Sequence, residues 1–293
     1  MQMQLVESAS LALLNEGCIV KTLSGPFEII ARDSKRILFV KVLEDANSIS
    51  EEQAAEFRKI SSCLNVPVVI VANKAGSKLE DGVVYERFGI TTMNLKTLRS
   101  CLRSDAPVIM RSKAGLTAEI DPVRLRQERL ARGISLGRMA EYLGVSKRMV
   151  VEYEAGTSRI TLSRAEALYS IFGDSVFRKE GIKSEAGTQY PEGRSVFARK
   201  YSSLGFSAFE TKRMPFDLIA KRDRKRVILT KVGDRPSPVL TGISRLIGAF
   251  RLAIVGKDKP KDIPSLTRKE FMEFEDAKEL LKFIEDFEEE HGE

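Results

Sequence analysis

Between Ser146 and Gly156 the chain reads SKRMVVEYEAG, with Lys147 and Arg148 adjacent and Glu152 one turn further on. Arginine and lysine can donate to guanine O6 and N7, and glutamate can accept from cytosine N4, so these residue types can read base edges. Ser146 is a favoured N-cap and Gly156 a favoured C-terminal stop. Val150 and Tyr153 fall where a core would take them, leaving Lys147, Arg148 and Glu152 on other faces. Any amphipathic helix has this pattern, so the neighbouring elements decide its use. Other chemistries lack their residues. The one histidine, His291, sits in a polar tail, which argues against a zinc finger, a His-based metal site and a Ser-His-Asp triad. Cys18, Cys63 and Cys101 are far apart and odd in number, as expected of reduced thiols rather than a disulfide framework.

The chain has 293 residues, enough for two or three domains with cores of their own. A hydrophobic content of 43% with 30% charged residues is ordinary for a globular protein. A net charge of +7 and a pI near 9.2 are compatible with a polyanionic partner and select none. The start, MQMQLVESASLALLNEG, has no basic n-region and makes a poor signal peptide. No apolar run is long enough for a bilayer, and VPVVIVA (66–72) is read as a buried strand. The expected setting is the cytoplasm, without membrane contact.

From residue 121 the pattern is a series of short helices. Asp121–Pro122 is an N-cap followed by proline at the first helical position; Leu125 and Leu130 supply its stripe, and Gly133 stops it. Ser135 caps a second helix with Leu136, Met139, Ala140 and Leu143 on one face, Gly144 turns the chain, and Ser146 caps the third. After GTSR, a fourth helix begins at Thr161 or Leu162 and carries Ala165, Leu168, Ile171 and Phe172. Short amphipathic helices joined by tight turns are what a helix-turn-helix requires.

These residues resemble the Cro/C1-type helix-turn-helix family, in its pattern LRxxR…G-x-S-x-x-x-x-A-x-x-L-G-V-S…Y-E-x-G. The resemblance implies a third helix lying in the major groove, with Lys147, Arg148 and Glu152 as base readers. Lys147 can equally take a phosphate. Ser135, Arg138, Ser146, Thr157, Ser158 and Arg159 are then placed for the DNA backbone. It also implies a small residue at Ala140, a left-handed turn at Gly144, and an Arg129–Glu154 tie from the first helix to the end of the third.

The flanks repeat one another. EGCIVKTLSGPFEIIARDSKRILFVKV (16–42) matches LGFSAFETKRMPFDLIAKRDRKRVILTKV (204–232), pairing Glu28 with Asp217 and Lys41 with Lys231. Each copy reads helix, three strands, helix (50–64 or 239–250) and strand. A final strand–helix unit follows, ITTMNLKTLRSCL or FMEFEDAKELLKFI. This order resembles the restriction-endonuclease-like PD-(D/E)xK fold. In that family two acidic positions hold a divalent metal and the lysine assists the attacking water. Here the second acidic position is Phe39 or Leu229, neither of which can bind magnesium, so both copies are read as inactive and without metal or cofactor. Asp33, Glu44 or Asp45 would have to substitute for the lost carboxylate. A plain cross-strand ion pair is the favoured role of Glu28–Lys41 and Asp217–Lys231. The cationic run 212–226 is either a solvated hairpin or added phosphate-contacting surface.

The expected fold class is α+β and multidomain, with two restriction-endonuclease-like α/β domains (1–104 and 195–293) flanking a small all-α Cro/C1-type helix-turn-helix domain (121–174). A hairpin linker (105–120) and an exposed connector (175–194) join them. This layout resembles a family of archaeal helix-turn-helix transcriptional regulators. The resemblance implies a regulator without chemistry of its own that reads double-stranded DNA, and a homodimer is expected because one recognition helix reads only a few base pairs. Packing of the two halves against each other within one chain is the alternative to the dimer. The alternative function is a divalent-metal nuclease targeted by the helix-turn-helix. A third reading is an interaction protein that contacts the transcription machinery and touches DNA only weakly.

Overall fold

The computed structural model describes residues 2–23, 25–34, 36–103, 109–112, 115–179, 182, 190–223, 225–233 and 238–291. The chain starts with α1 (Gln2–Asn15), β1 (Ile19–Thr22), β2 (Ile29–Arg32), β3 (Ile37–Asp45), α2 (Glu51–Leu64) and β4 (Val68–Ala75). Then come β5 (Ser77–Lys78), β6 (Val83–Arg87), β7 (Ile90–Met93), α3 (Leu95–Leu102), β8 (Ile109–Ser112) and β9 (Gly115–Ile120). The helical segment is α4 (Pro122–Ala131), α5 (Leu136–Leu143), α6 (Lys147–Ala155), β10 (Ile160–Thr161), α7 (Leu162–Phe172) and β11 (Phe177–Arg178). The C-terminal part is α8 (Val196–Ser203), β12 (Ser207–Glu210), β13 (Leu218–Lys221), β14 (Val227–Val232), α9 (Pro238–Ile247), β15 (Phe250–Val255), β16 (Ser265–Thr267), α10 (Arg268–Glu273) and α11 (Ala277–His291).

Two compact bodies result. One comprises residues 43–48 and 70–182, the other 2–42, 49–69 and 183–293. In the first, a sheet runs in the order β4-β7-β6-β8-β9-β10, with β11 also on β9. Residues 113–114, between β8 and β9, lie outside the described residues. β9 does more than connect. Its Ala118 and Ile120, with Phe177 of β11, are buried in the same core as Leu125, Met139, Val150, Tyr153 and Leu168 of the helices. Strands before and after the helices thus contribute to their core.

In the second body, β1-β2-β3 form an antiparallel meander with Ile19 opposite Arg32 and Ile29 opposite Val40. The C-terminal sheet is β12-β13-β14-β15-β16, antiparallel across its first three strands and parallel across the last three. Its core gathers Tyr201, Phe206, Phe271, Leu280 and Ile284 under α8, α10 and α11. One expected element moves. FMEF was read as the last strand, whereas the strand is Ser265–Thr267 and residues 268–273 are helical. The reason is local: Thr267 accepts from the Glu270 backbone N–H, and the Glu270 side chain accepts from Thr267 N–H, closing a capping box.

The repeat extends to fine geometry. Gly17 and Gly205 have φ of 80° and 83° ahead of β1 and β12. α2 and α9 end alike on left-handed residues, Asn65 (φ 54°) and Gly248 (φ 68°), where Val66 donates to Ser61 O and Ala249 to Ser244 O. The two copies also touch reciprocally. Arg32 donates to Leu246 O in the last turn of α9 at 2.9 Å, and Lys221 donates to Cys63 O in the last turn of α2 at 3.0 Å. Arg32 and Lys221 occupy matching ends of β2 and β13. No helix among the described residues is long and apolar enough to cross a membrane.

Candidate nucleic-acid interface

Helices α4, α5 and α6 each start on a side-chain cap the sequence supplies, whereas α7 starts at Thr161 without one. Asp121 accepts from Val123 and Arg124 N–H, Ser135 from Arg138 N–H, and Ser146 from Met149 N–H. Gly144 (φ 60°) and Gly156 (φ 71°) terminate α5 and α6 in the left-handed region. At Gly156 a Cβ would also lie 2.9 Å from Pro122 Cγ, so the end of α6 packs on the start of α4. Val150 and Tyr153 are buried, and Ala140 is small where α5 and α6 pack together. Leu130, expected on the buried stripe, is instead 59% exposed.

Arg129 and Glu154 lock α4 to the end of α6. Arg129 Nε donates to Glu154 Oε1 at 2.5 Å, one terminal nitrogen to Oε2 at 3.0 Å, and the other to Ile134 O at 2.9 Å. Both side chains are about nine-tenths buried. The hydrogen bonds that Arg129 donates to Glu154 raise its pKa further, so the guanidinium keeps its charge despite burial.

The opposite face of α6 is open. Lys147 and Arg148 are exposed at its first turn, and the Arg148 side chain is 89% exposed, so the tip is free on its own body. The Lys147 stem passes over Gly137, where a Cβ would meet Lys147 Cε at 3.0 Å. Glu152 accepts from Arg148 Nε at 3.1 Å and from the Ser158 hydroxyl at 3.4 Å, holding that guanidinium along the helix. Val151, which the sequence reading passed over, is half exposed on the turn after Lys147 and Arg148. Its i+3 and i+4 spacing from them was the available signal.

The candidate backbone contacts are placed differently from one another. Ser135, Ser146 and Thr157 hold helix ends, Thr157 by donating to Glu152 O. Arg138 reaches Tyr142 OH at 2.9 Å on the exposed side of α5. Arg159 is turned inward, donating to Thr117 Oγ1 and pairing with Glu119, which also takes Arg178. It braces the loop after α6 against β9.

The Glu28–Lys41 and Asp217–Lys231 pairs make the same contacts. Lys41 Nζ donates to Glu28 Oε1 at 2.6 Å and Val42 N–H to Oε2 at 2.7 Å. Lys231 Nζ donates to Asp217 Oδ1 at 3.1 Å and Val232 N–H to Oδ2 at 2.7 Å. Phe39 is fully buried and stacks on Phe27 at 5.0 Å, and Leu229 is fully buried. Asp33 holds Arg36, Glu44 accepts from Asn73, and Asp45 accepts from Asn47 and Gly76 N–H. Among the described residues no three His, Cys, Asp or Glu side chains converge on a metal-sized point. In the cationic run, Arg226 pairs with Asp223, whose pKa its guanidinium lowers to about 2. Arg224 lies outside the described residues.

Residues 2–108 match a family model described as a PD-(D/E)XK superfamily domain, and residues 125–173 one described as helix-turn-helix. A relative from Pyrococcus furiosus, named "Putative HTH-type transcriptional regulatory protein", is 31% identical over 290 residues, covering 89% of this chain and 90% of its own. Relatives of the same designation from Methanocella arvoryzae (30% over 296 residues, 92% and 90% covered) and Pyrococcus horikoshii (29% over 283 residues, 89% and 90%) match along the same length. No solved structure matches the chain. With such identity over nearly the whole length, and with both a nuclease-like and a helix-turn-helix region, the chain belongs to this family of archaeal HTH-type transcriptional regulatory proteins.

Proposed function

We propose that the chain is a sequence-specific regulator that reads double-stranded DNA through a Cro/C1-type helix-turn-helix, with α6 in the major groove. The observation that carries this is the open first turn of α6, where Lys147, Arg148 and Val151 stand clear of a buried Val150–Tyr153 face. Lys147 and Arg148 would donate to guanine, Glu152 would accept from cytosine after releasing Arg148, and Val151 would meet a thymine methyl. Ser135, Arg138, Ser146, Thr157 and Ser158 would sit on the phosphates, while Arg159 keeps its structural place. The reading module is best taken as residues 115–179, because β9 and β11 share its core.

The flanking segments, 1–104 and 195–293, are two copies of a nuclease-like domain without hydrolytic activity, their Glu28–Lys41 and Asp217–Lys231 pairs serving the sheet. Supporting this, both oxygens of each carboxylate already accept from protein donors, and a buried aliphatic or aromatic side chain fills the second acidic position. Plasmid incubated with the protein and Mg²⁺ or Mn²⁺ should stay intact. A homodimer would have to form away from the face joining the copies, which is occupied within the chain.

Selection of bound sequences from a random duplex pool tests the reading. A motif of a few specified base pairs whose positions change in Arg148→Ala is expected. A pool that never converges overturns it.

A further inference from the structure

Above the Glu28–Lys41 pair lies a cavity of about 630 Å³ that neither copy forms alone. Its lining includes the apolar Pro26 and Phe57, Lys41, the carboxylates Glu52 and Glu56, and Lys212 and Arg213 from the loop between β12 and β13. That loop is pinned to α2: Lys212 N–H donates to Glu56 Oε1 at 2.8 Å, and Lys59 donates to Glu210 O. The corresponding loop of the first copy, Leu23–Ser24–Gly25, has no cation, so Lys212 and Arg213 are not part of the repeat.

A donor count gives the ligand's chemistry. The carboxylates nearby are offset in part: Glu28 by Lys41 and Val42, Glu56 on one oxygen by Lys212 N–H, and the exposed Glu52 by the Lys212 ammonium 3.6 Å away. Donors are left over. Lys41 uses one of three N–H groups, and Arg213 has no partner among the described residues. Arg213 also holds a left-handed backbone, φ 59°, which an arginine adopts only under strain. Spare donors beside apolar side chains suit a compact molecule with one anionic end, and the volume is that of a small-ligand site rather than a strand track. We propose that this composite cavity binds a small organic anion, a phosphate or carboxylate beside an apolar group, gripped by Arg213 and Lys41. The site is independent of DNA reading by α6.

Titration calorimetry of the full chain at low salt with phenyl phosphate, benzoate and uncharged benzyl alcohol tests it. One equivalent of phenyl phosphate or benzoate should bind, telling phosphate from carboxylate recognition, and benzyl alcohol should not. Arg213→Gly removes the guanidinium while suiting the left-handed backbone, so the variant should fold and lose at least tenfold in affinity. No binding of either anion, equal binding in Arg213→Gly, or a loss confined to DNA affinity would each overturn the site.

Discussion

Two arginines of the central helices illustrate how burial assigns different roles to one residue type. Arg129 is enclosed, and its guanidinium satisfies both oxygens of Glu154 and the Ile134 carbonyl. Removing it strands a buried carboxylate, so Arg129→Ala should lower stability by about 3 kcal/mol, read as a shift in denaturant midpoint. A shift under a third of that would make the pair a solvated contact. Arg148 is the converse, since its side chain is almost wholly exposed and pairs with Glu152 one turn along the helix. Arg148→Ala should leave the unfolding curve in place and weaken binding to the selected duplex by roughly 1–3 kcal/mol. Equal affinity of wild type and variant would exclude Arg148 as a reader. The sequence distinguished the two because the resemblance to the Cro/C1-type family implied a tie from Arg129 to Glu154, whereas Arg148 follows a cap at a helix tip. It did not reveal the engagement of Arg159, because Glu119 lies on β9, forty residues away in the chain and beyond any local pattern.

The elements legible in the sequence were those with local signals. Caps at Asp121, Ser135 and Ser146 and glycines at 144 and 156 gave the helices their ends, as found. Where one signal was overlooked, an element was misplaced. Thr267-Arg-Lys-Glu270 is a capping box, and it makes residues 268–273 a helix despite their aromatic, strand-like composition. β9's place in the helical core was not legible, because Ala118 and Ile120 alternate as in any half-buried strand. The capping box carries its own pH dependence. Hydrogen bonds from Lys259, then from Thr267, hold the Glu270 carboxyl down at about 2. A carboxylate depressed in the folded state contributes stability that is complete above its unfolded pKa, roughly 4.3, and disappears as pH falls through the folded value. Glu270→Gln should therefore unfold at a lower temperature than wild type at neutral pH, with the gap closing as acid approaches pH 2. A gap constant down to that pH would mean that the box depends on side-chain shape and not on charge.

At the scale of the whole chain, the repeat is used to join itself. Arg32 reaches the last turn of α9 and Lys221 the last turn of α2, each a cation on carbonyls at the negative end of a helix. Matching residues contacting each other's matching helices is the relation a two-fold dimer interface has, here closed within one polypeptide. The sequence showed the duplication but not this contact, because Arg32 and Lys221 look like ordinary strand-end cations and their acceptors are backbone carbonyls without a side-chain signature. The arrangement predicts effects that cross between copies. Both cations are at least partly exposed, so each truncation should cost only about 1 kcal/mol overall, and the informative quantity is where protection is lost. In hydrogen exchange followed by mass spectrometry, Arg32→Ala should deprotect the end of α9 while leaving the end of α2 as in wild type. Lys221→Ala should do the reverse. If each substitution instead loosens only its own copy, the two repeats do not hold one another's helices in solution.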